Sequence, residues 1–270
     1  MPKTVLIPAA GAGRRFERQA IKPPKPLIQI AGKSLLEHTL SSFCFETDDQ
    51  LILAVQKHHR IREQLGEKLQ QQYPNLLIHW VELDALLPGQ LATARAAVAA
   101  STIEPNHALL IHNCDTGFRW TSALEKVDGF AAMAVFEAAG DHWSFGCPDP
   151  SDPGRAIAIA EKKRISHLAS IGLYSFSSSE AFLTLADQQL RDGSSLQGEH
   201  YIAPMLQRAI EQGLHVTLPK VDGVRLFGTP EELCREFMIS LDQLKRLNQA
   251  TPAQSECQPE HPQDTSAGQH

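Results

Sequence analysis

The chain has 270 residues, 42% of them hydrophobic, which is enough to bury one large α/β core with a substantial insertion. A formal net charge of −6 excludes a general attraction to nucleic acid or to an anionic membrane, so a site for a polyanion must be a local concentration of positive charge. Apolar runs of about 18 residues are absent, and Met-Pro-Lys-Thr leads straight into a strand rather than a signal peptide, so a cytoplasmic protein without a membrane partner is expected.

In chain order, Thr4-Val5-Leu6-Ile7 is a β-branched, apolar run that predicts a buried parallel strand. It breaks into Pro8, Ala9, Ala10, Gly11, Ala12 and Gly13, a loop of small residues whose N–H groups a phosphate can approach with no Cβ in the way. The loop is neither a P-loop, since no Gly-Lys-Ser/Thr follows, nor a dinucleotide fingerprint, since Arg15-Phe16 replaces the third glycine. Arg14, Arg15, Arg18, Lys22 and Lys25 supply the concentrated positive charge. Pro23, Pro24 and Pro26 fix the backbone around Lys25, a mount suited to a charge that must be aimed. Arg15 and Lys25 can thus grip a polyphosphate from two sides.

Ser34 followed by Glu37 reads as a helix N-cap, with Leu36, Leu40 and Phe43 at helical spacing behind it. Strands are expected at Leu51 to Val55, Leu76 to Val81 and Ala108 to Ile111, and helices at His58 to Gln72 and Leu91 to Ala100. This βαβ rhythm implies a doubly wound, mostly parallel, Rossmann-like sheet flanked by helices, with ligands beyond the carboxyl ends of the strands. From about Phe130 the pattern turns to mixed sheet, with strands at Ala131 to Phe136, Trp143 to Cys147, Ala156 to Ala160 and Ile171 to Phe176. Helical patterns return at Ser179 to Leu190, Glu199 to Gln212 and Pro230 to Leu247. One domain is expected over residues 1–250, in halves of about 1–128 and 129–250, and the polar stretch 251–270 reads as a disordered tail. Cys44, Cys114, Cys147, Cys234 and Cys257 are odd in number with no C-x-x-C pair and read as buried free thiols, and the exposed doublet His58-His59 is given no role.

Asp115 ends the apolar run in "LLIHNCD", where a carboxylate can either hold Mg²⁺ against phosphate oxygens or cap the turn through Thr116 and Gly117. Ala-Ala-Gly-x-Gly-x-Arg-Phe after a strand, then Pro-Lys-Pro-Leu, then the strand that ends at Asp115, resembles the signature of the sugar-phosphate nucleotidyltransferases, or nucleotide-sugar pyrophosphorylases. The resemblance extends over about residues 3 to 240 through "LPGQLATA", "WSFG", "IAEKKRIS", "SIGLYSF", "GEHYIAPML" and "LFGTPEEL" in that order. It implies a nucleotidyltransferase that joins a nucleoside triphosphate to a sugar phosphate, with Mg²⁺ as cofactor. In that reading Arg15, Lys25 and Asp115 are catalytic, with Asp115 on the metal; Ala10, Gly11, Ala12, Gly13 and Gly89 bind the nucleotide; Gly146, Glu161, Lys162 and Gly172 bind the sugar phosphate.

Many relatives carry an aspartate two residues before the Gly-Thr of the last motif as a second metal ligand, whereas this chain has Leu226 there. That departure motivates a nucleotide-sugar sensor as a rival reading, and transfer to another phosphorylated small molecule such as phosphocholine is a second. The sequence names neither base nor sugar, and it leaves oligomeric state open, a homo-oligomer included.

Overall fold

The computed structural model describes residues 2–124, 127–193 and 195–249. Strand β1 (Lys3–Pro8) leads to a short helix α1 (Arg14–Arg18), a small hairpin of β2 (Gln29–Ile30) and β3 (Lys33–Ser34), and helix α2 (Leu35–Leu40). Then come β4 (Gln50–Gln56), α3 (Ile61–Gln72), β5 (Leu77–Leu83), α4 (Gln90–Ala100), β6 (Ala108–His112) and a two-residue β7 (Thr116–Gly117). The remainder runs β8 (Ala131–Glu137), β9 (Ser144–Pro148), β10 (Ala156–Glu161), β11 (Leu168–Phe176), α5 (Ser179–Asp192), α6 (Ile202–Glu211), β12 (Val216–Thr217), β13 (Arg225–Leu226), α7 (Pro230–Glu236) and α8 (Leu241–Leu247).

Nine strands share one sheet, in the order β10-β9-β11-β6-β1-β4-β5, with β8 also paired to β11 and β12 to β8. Strands β6, β1, β4 and β5 are mutually parallel, and the buried apolar runs of β6, β1 and β4 suit a sheet with helices on both faces. Strand β11 joins β6 antiparallel and makes the second half of the sheet mixed. Because β4 lies on one side of β1 and β6 on the other, the strand order reverses between β1 and β6, and a crevice opens at their carboxyl ends. The small-residue loop leaves β1 there and Asp115 follows β6 there.

Two apolar clusters pack the two faces of the sheet, one around Leu6, Ile111, Met133 and Phe182, the other around Ile7, Leu53, Leu110 and Phe118. A third is separate: Phe16, Ile21, Ile28, Leu35, Phe227, Leu233 and Leu244 are all buried together. That cluster ties α1, the Lys25 arm, α2, α7 and α8 into one support beneath the crevice. Burying each of these large side chains contributes on the order of 2 kcal/mol, so the loops above them are anchored by core.

Several boundaries differ from the sequence pattern for local reasons. Ser34 and Glu37 form both halves of a capping box, but α2 closes at Leu40 and Phe43 turns into an aromatic group with Phe118 and Trp120. Helix α3 starts at Ile61 because Arg60 takes a left-handed φ of 52° after a 3₁₀ turn over Lys57–His59. Helix α6 starts at Ile202 because Tyr201 is extended and the residue before it pairs with Pro88 and Leu91. The expected helix from Pro230 to Leu247 is two helices, broken where Met238 turns left-handed at φ 52° and Ser240 caps a new start. The stretch 251–270 and Cys257 lie outside the described residues; the other four cysteines are free but not buried as expected, Cys44 being exposed and Cys114, Cys147 and Cys234 half-buried. No helix among the described residues is long and apolar enough to cross a membrane.

Candidate active site

The loop after β1 keeps its donors open. Among the described residues the N–H groups of Ala10, Gly11, Ala12 and Gly13 find no acceptor, while Gly13 accepts from Phe16 and Glu17 and starts α1 with a φ of 65°. Gly11 is exposed with free space where a Cβ would stand, and a Cβ on Gly13 would touch that of Lys25 at 3.6 Å. The glycine loop and the proline-braced arm are therefore in contact. A cleft between them is lined by Ala12, Gly13, Glu17, Lys22, Pro23, Pro24, Lys25 and His59. His59, which carries no motif in the sequence, reaches this cleft from the turn after β4.

Lys25 crosses the crevice. Its Nζ donates to Asp115 Oδ2 at 2.5 Å, lies 3.5 Å from the Gly228 carbonyl oxygen and sits 5.8 Å from the centre of the Phe16 ring. The side chains keep 15% and 25% of their surface, so the pair is shielded but reachable by a ligand. Burial opposes the charge on both groups, yet their mutual attraction wins: the Lys25 ammonium is raised and the Asp115 carboxyl lowered from their ordinary values. Both stay ionised through neutral pH. Asp115 also accepts a long contact from Thr116 Oγ1 at 3.4 Å, and its backbone oxygen accepts from Phe227 N–H at 3.0 Å. That last bond and the pairing of β13 with β7 bring Leu226 beside Thr116 and Gly228 beside Asp115.

A second group gathers on the mixed half. Glu161 accepts from Ser144 Oγ, and burial raises its carboxyl pKa despite that bond and the neighbouring Lys162. Lys162 holds a left-handed φ of 51° and points its Nζ to the Tyr201 hydroxyl at 2.8 Å, over a ring whose centre is 4.4 Å away. Tyr201 in turn donates to Glu199 Oε2 at 2.5 Å. Burial, and after it the bond to Glu199, raises the Tyr201 hydroxyl pKa, whereas the charge of Arg15 opposes the rise. Arg15, exposed on α1, is thus felt both at Tyr201 and at Lys25 and links the two groups.

Three of the glycines singled out in the sequence have packing reasons for lacking a side chain. Gly89, at φ 97°, would drive a Cβ to 2.6 Å from both the N and O of His200, and its own N–H and carbonyl are taken by Leu87 and Thr93. Its backbone docks the 199–201 segment onto the start of α4. Gly146 would meet Leu218 at 2.6 Å and Met133 at 2.9 Å, so its bare side faces core. Gly172, at φ 76°, leaves room for Asn113, which receives a 2.5 Å bond from Gln90 Nε2. These three order the walls of the crevice.

Glu161 gives a test. Its raised folded-state pKa means that the native protein holds the neutral form more tightly than the unfolded chain does, so stability falls as pH rises through that interval. Glu161→Gln keeps the shape and removes the charge. It should melt at a higher temperature than wild type at neutral pH, lose that advantage in acid, and turn over more slowly. An unchanged melting temperature at neutral pH would show that the buried charge costs nothing.

The family model described as "MobA-like NTP transferase domain" matches residues 5–192, more than half of the chain. The Bifunctional protein GlmU of Thermobifida fusca is 26% identical over 219 residues, covering 74% of this chain and 42% of its own, so the chain spans less than half the length of that relative. Among solved structures, the nucleoside-diphosphate-sugar pyrophosphorylase of Vibrio cholerae RC9 superposes with a TM-score of 0.77 at 26% identity, over 87% of this chain and 99% of that one. The inositol-1-phosphate CTP transferase of T. maritima has the same fold, at a TM-score of 0.68 and 16% identity over 94% and 98% of the two chains. The chain belongs to the MobA-like NTP transferase family and carries a nucleotidyltransferase domain.

Proposed function

We propose that the protein joins a nucleoside triphosphate to a sugar phosphate. A phosphate oxygen of the sugar phosphate attacks the α-phosphorus in line, the bond from that phosphorus to the bridging oxygen breaks, and pyrophosphate leaves with the electron pair, giving an NDP-sugar. The observation that carries this reading is the Lys25–Asp115 pair, set at the carboxyl end of β6 against the open N–H groups of the glycine loop.

Such a transfer needs fixed charge more than proton shuttling. The loop from Ala10 to Gly13 cradles the phosphates, Lys25 meets charge developing at the α-phosphate, and Arg15 faces the departing pyrophosphate. Glu161 accepts from sugar hydroxyls, and Lys162 turns from Tyr201 to the sugar's phosphate. The residues present also fit a divalent metal. Asp115 already holds a cation, the Lys25 ammonium, and the oxygens around it are hard donors suited to Mg²⁺. Asp115 would hold the ion, which supplies neutralisation of the phosphate oxygens when bound. Among the described residues no cage of three or more His, Cys, Asp or Glu surrounds that point, which fits an ion shared with nucleotide phosphates and water.

One name supports the sugar-phosphate reading: a pyrophosphorylase of nucleoside-diphosphate sugars is the better-matched of the two solved structures above, by identity and by TM-score. Panels of nucleoside triphosphates against sugar 1-phosphates, with Mg²⁺ and pyrophosphate release as the readout, test it. One pair should release pyrophosphate and form a stoichiometric NDP-sugar. Release with phosphocholine or another phosphorylated acceptor in place of the sugar phosphate would move the reaction to that acceptor, and tight nucleotide binding with no release from any of these pairs would make the chain a sensor instead.

A further inference from the structure

Gly228 stands between two carboxylates. A Cβ built on it would lie 3.2 Å from Asp115 Oδ2 and 3.1 Å from Glu232 Oε2, so both oxygens face one narrow gap that a side chain would crowd. The same gap is bordered by the Gly228 carbonyl oxygen, 3.5 Å from Lys25 Nζ. Glu232 reaches it from the third position of α7, where Thr229 is the N-cap and its side chain accepts from Glu232 N–H at 3.1 Å. A glutamate at that position ordinarily bends back to the N-cap N–H and closes a capping box. Two other helices of this chain do so: Ser34 with Glu37, and Ser240 with Gln243. At Thr229 only the hydroxyl half of the box is made, and Glu232 is turned toward Asp115 instead.

Glu232 is half-buried and forgoes its local bond, and its carboxylate stands with that of Asp115 around one gap that a divalent cation would bridge. Lys25 pairs with Asp115 and approaches the Gly228 carbonyl oxygen, and among the described residues it makes no ion pair with Glu232. Leu226, in β13, offers no oxygen to the gap. We propose that Glu232 is the second protein ligand of the divalent metal, sharing the ion with Asp115 across Gly228; this rests on the nucleotidyltransfer reading only for the presence of a metal. An all-oxygen pair of side chains, with water and phosphate completing the shell, matches the preference of Mg²⁺ for hard donors held at about 2.1 Å. Gly228 is then a glycine because both ligands must pass its Cα.

The test uses Mn²⁺ as an electron paramagnetic probe, titrated into the full chain without nucleotide. Wild type should take up one ion, and Glu232→Gln should weaken it by roughly tenfold or more, at least what the loss of a residue merely supporting a metal ligand costs. Glu231→Gln, the same change of charge on the exposed neighbour, should leave the affinity as it was. Because the Thr229 cap survives in both variants, their melting temperatures should match wild type. No uptake by wild type, or equal loss in the two variants, overturns the assignment. Pyrophosphate release by wild type, measured in parallel, separates the two claims: release with a Glu232-independent ion sinks only the ligand, and a Glu232-dependent ion without release sinks only the reaction.

Discussion

Lys25→Ala should lower turnover by roughly a hundredfold to a thousandfold, about 3 to 4 kcal/mol of transition-state stabilisation, the scale seen when one preorganised donor to developing charge is removed. The ammonium is shielded, held by Pro24 and Pro26, and backed by the buried Phe16 ring, so its position is fixed before substrate arrives. Removing it also strips Asp115 of its counter-ion. That carboxylate keeps a quarter of its surface in water, so the stability lost should be modest, about 1 to 2 kcal/mol and well short of a fully buried pair. Lys25→Arg restores the charge but not the length or the single-point geometry, and should recover stability more than rate. Steady-state kinetics beside thermal melts would check the split. Turnover within about twofold of wild type, less than 1 kcal/mol of barrier, would remove Lys25 from the mechanism.

Much of this site is legible in the chain because its parts are local. Strand, small-residue loop and proline-braced lysine are written within residues 4–26, and an apolar strand ending in an aspartate marks the carboxyl edge of a parallel sheet. Glycine is harder to read. The packing that requires glycine at Gly89 and Gly146 is not written nearby, because the atoms a Cβ would strike there belong largely to His200 and Leu218, far away in sequence. The break at Met238 is hidden for another reason: Leu233 and Leu244 bury into the same cluster on both sides of it, so the apolar pattern runs on through a left-handed residue. Tyr201 becomes visible only when α6 starts late and its hydroxyl meets Lys162. Thr229-Pro-Glu-Glu reads as an ordinary helix start, since nothing in the sequence says that Glu232 leaves its own cap unclosed.

Asp115→Asn should be the most damaging conservative change in the protein. It keeps the shape and the contact to Thr116, but it removes the one carboxylate that pairs with Lys25 among the described residues, at the end of β6 where the proposed reaction puts the phosphates. A loss of several kcal/mol of transition-state stabilisation is expected, roughly a hundredfold or more in rate. The variant also changes how Lys25 titrates. In wild type burial is the largest influence on Lys25 and acts to lower its pKa, and Asp115 is what reverses the sign. Without that charge, burial and Arg15 act downward against Cys114 alone, so the ammonium gives up its proton at lower pH than in wild type. The stability terms follow the same logic. Asp115, lowered in the fold, stabilises wild type above its ordinary carboxylate range, and that contribution disappears as pH falls through the lowered value; Lys25, raised, contributes below its ordinary value and ceases to do so as pH rises through the raised one. Both contributions are present throughout the neutral window in wild type and missing from Asp115→Asn. Its residual activity should therefore decline on the alkaline side where wild-type activity is still flat. Rate against pH for the two proteins, with melting curves alongside, decides this: parallel profiles would mean that Lys25 keeps its charge without Asp115 and that the pair is not what aims it.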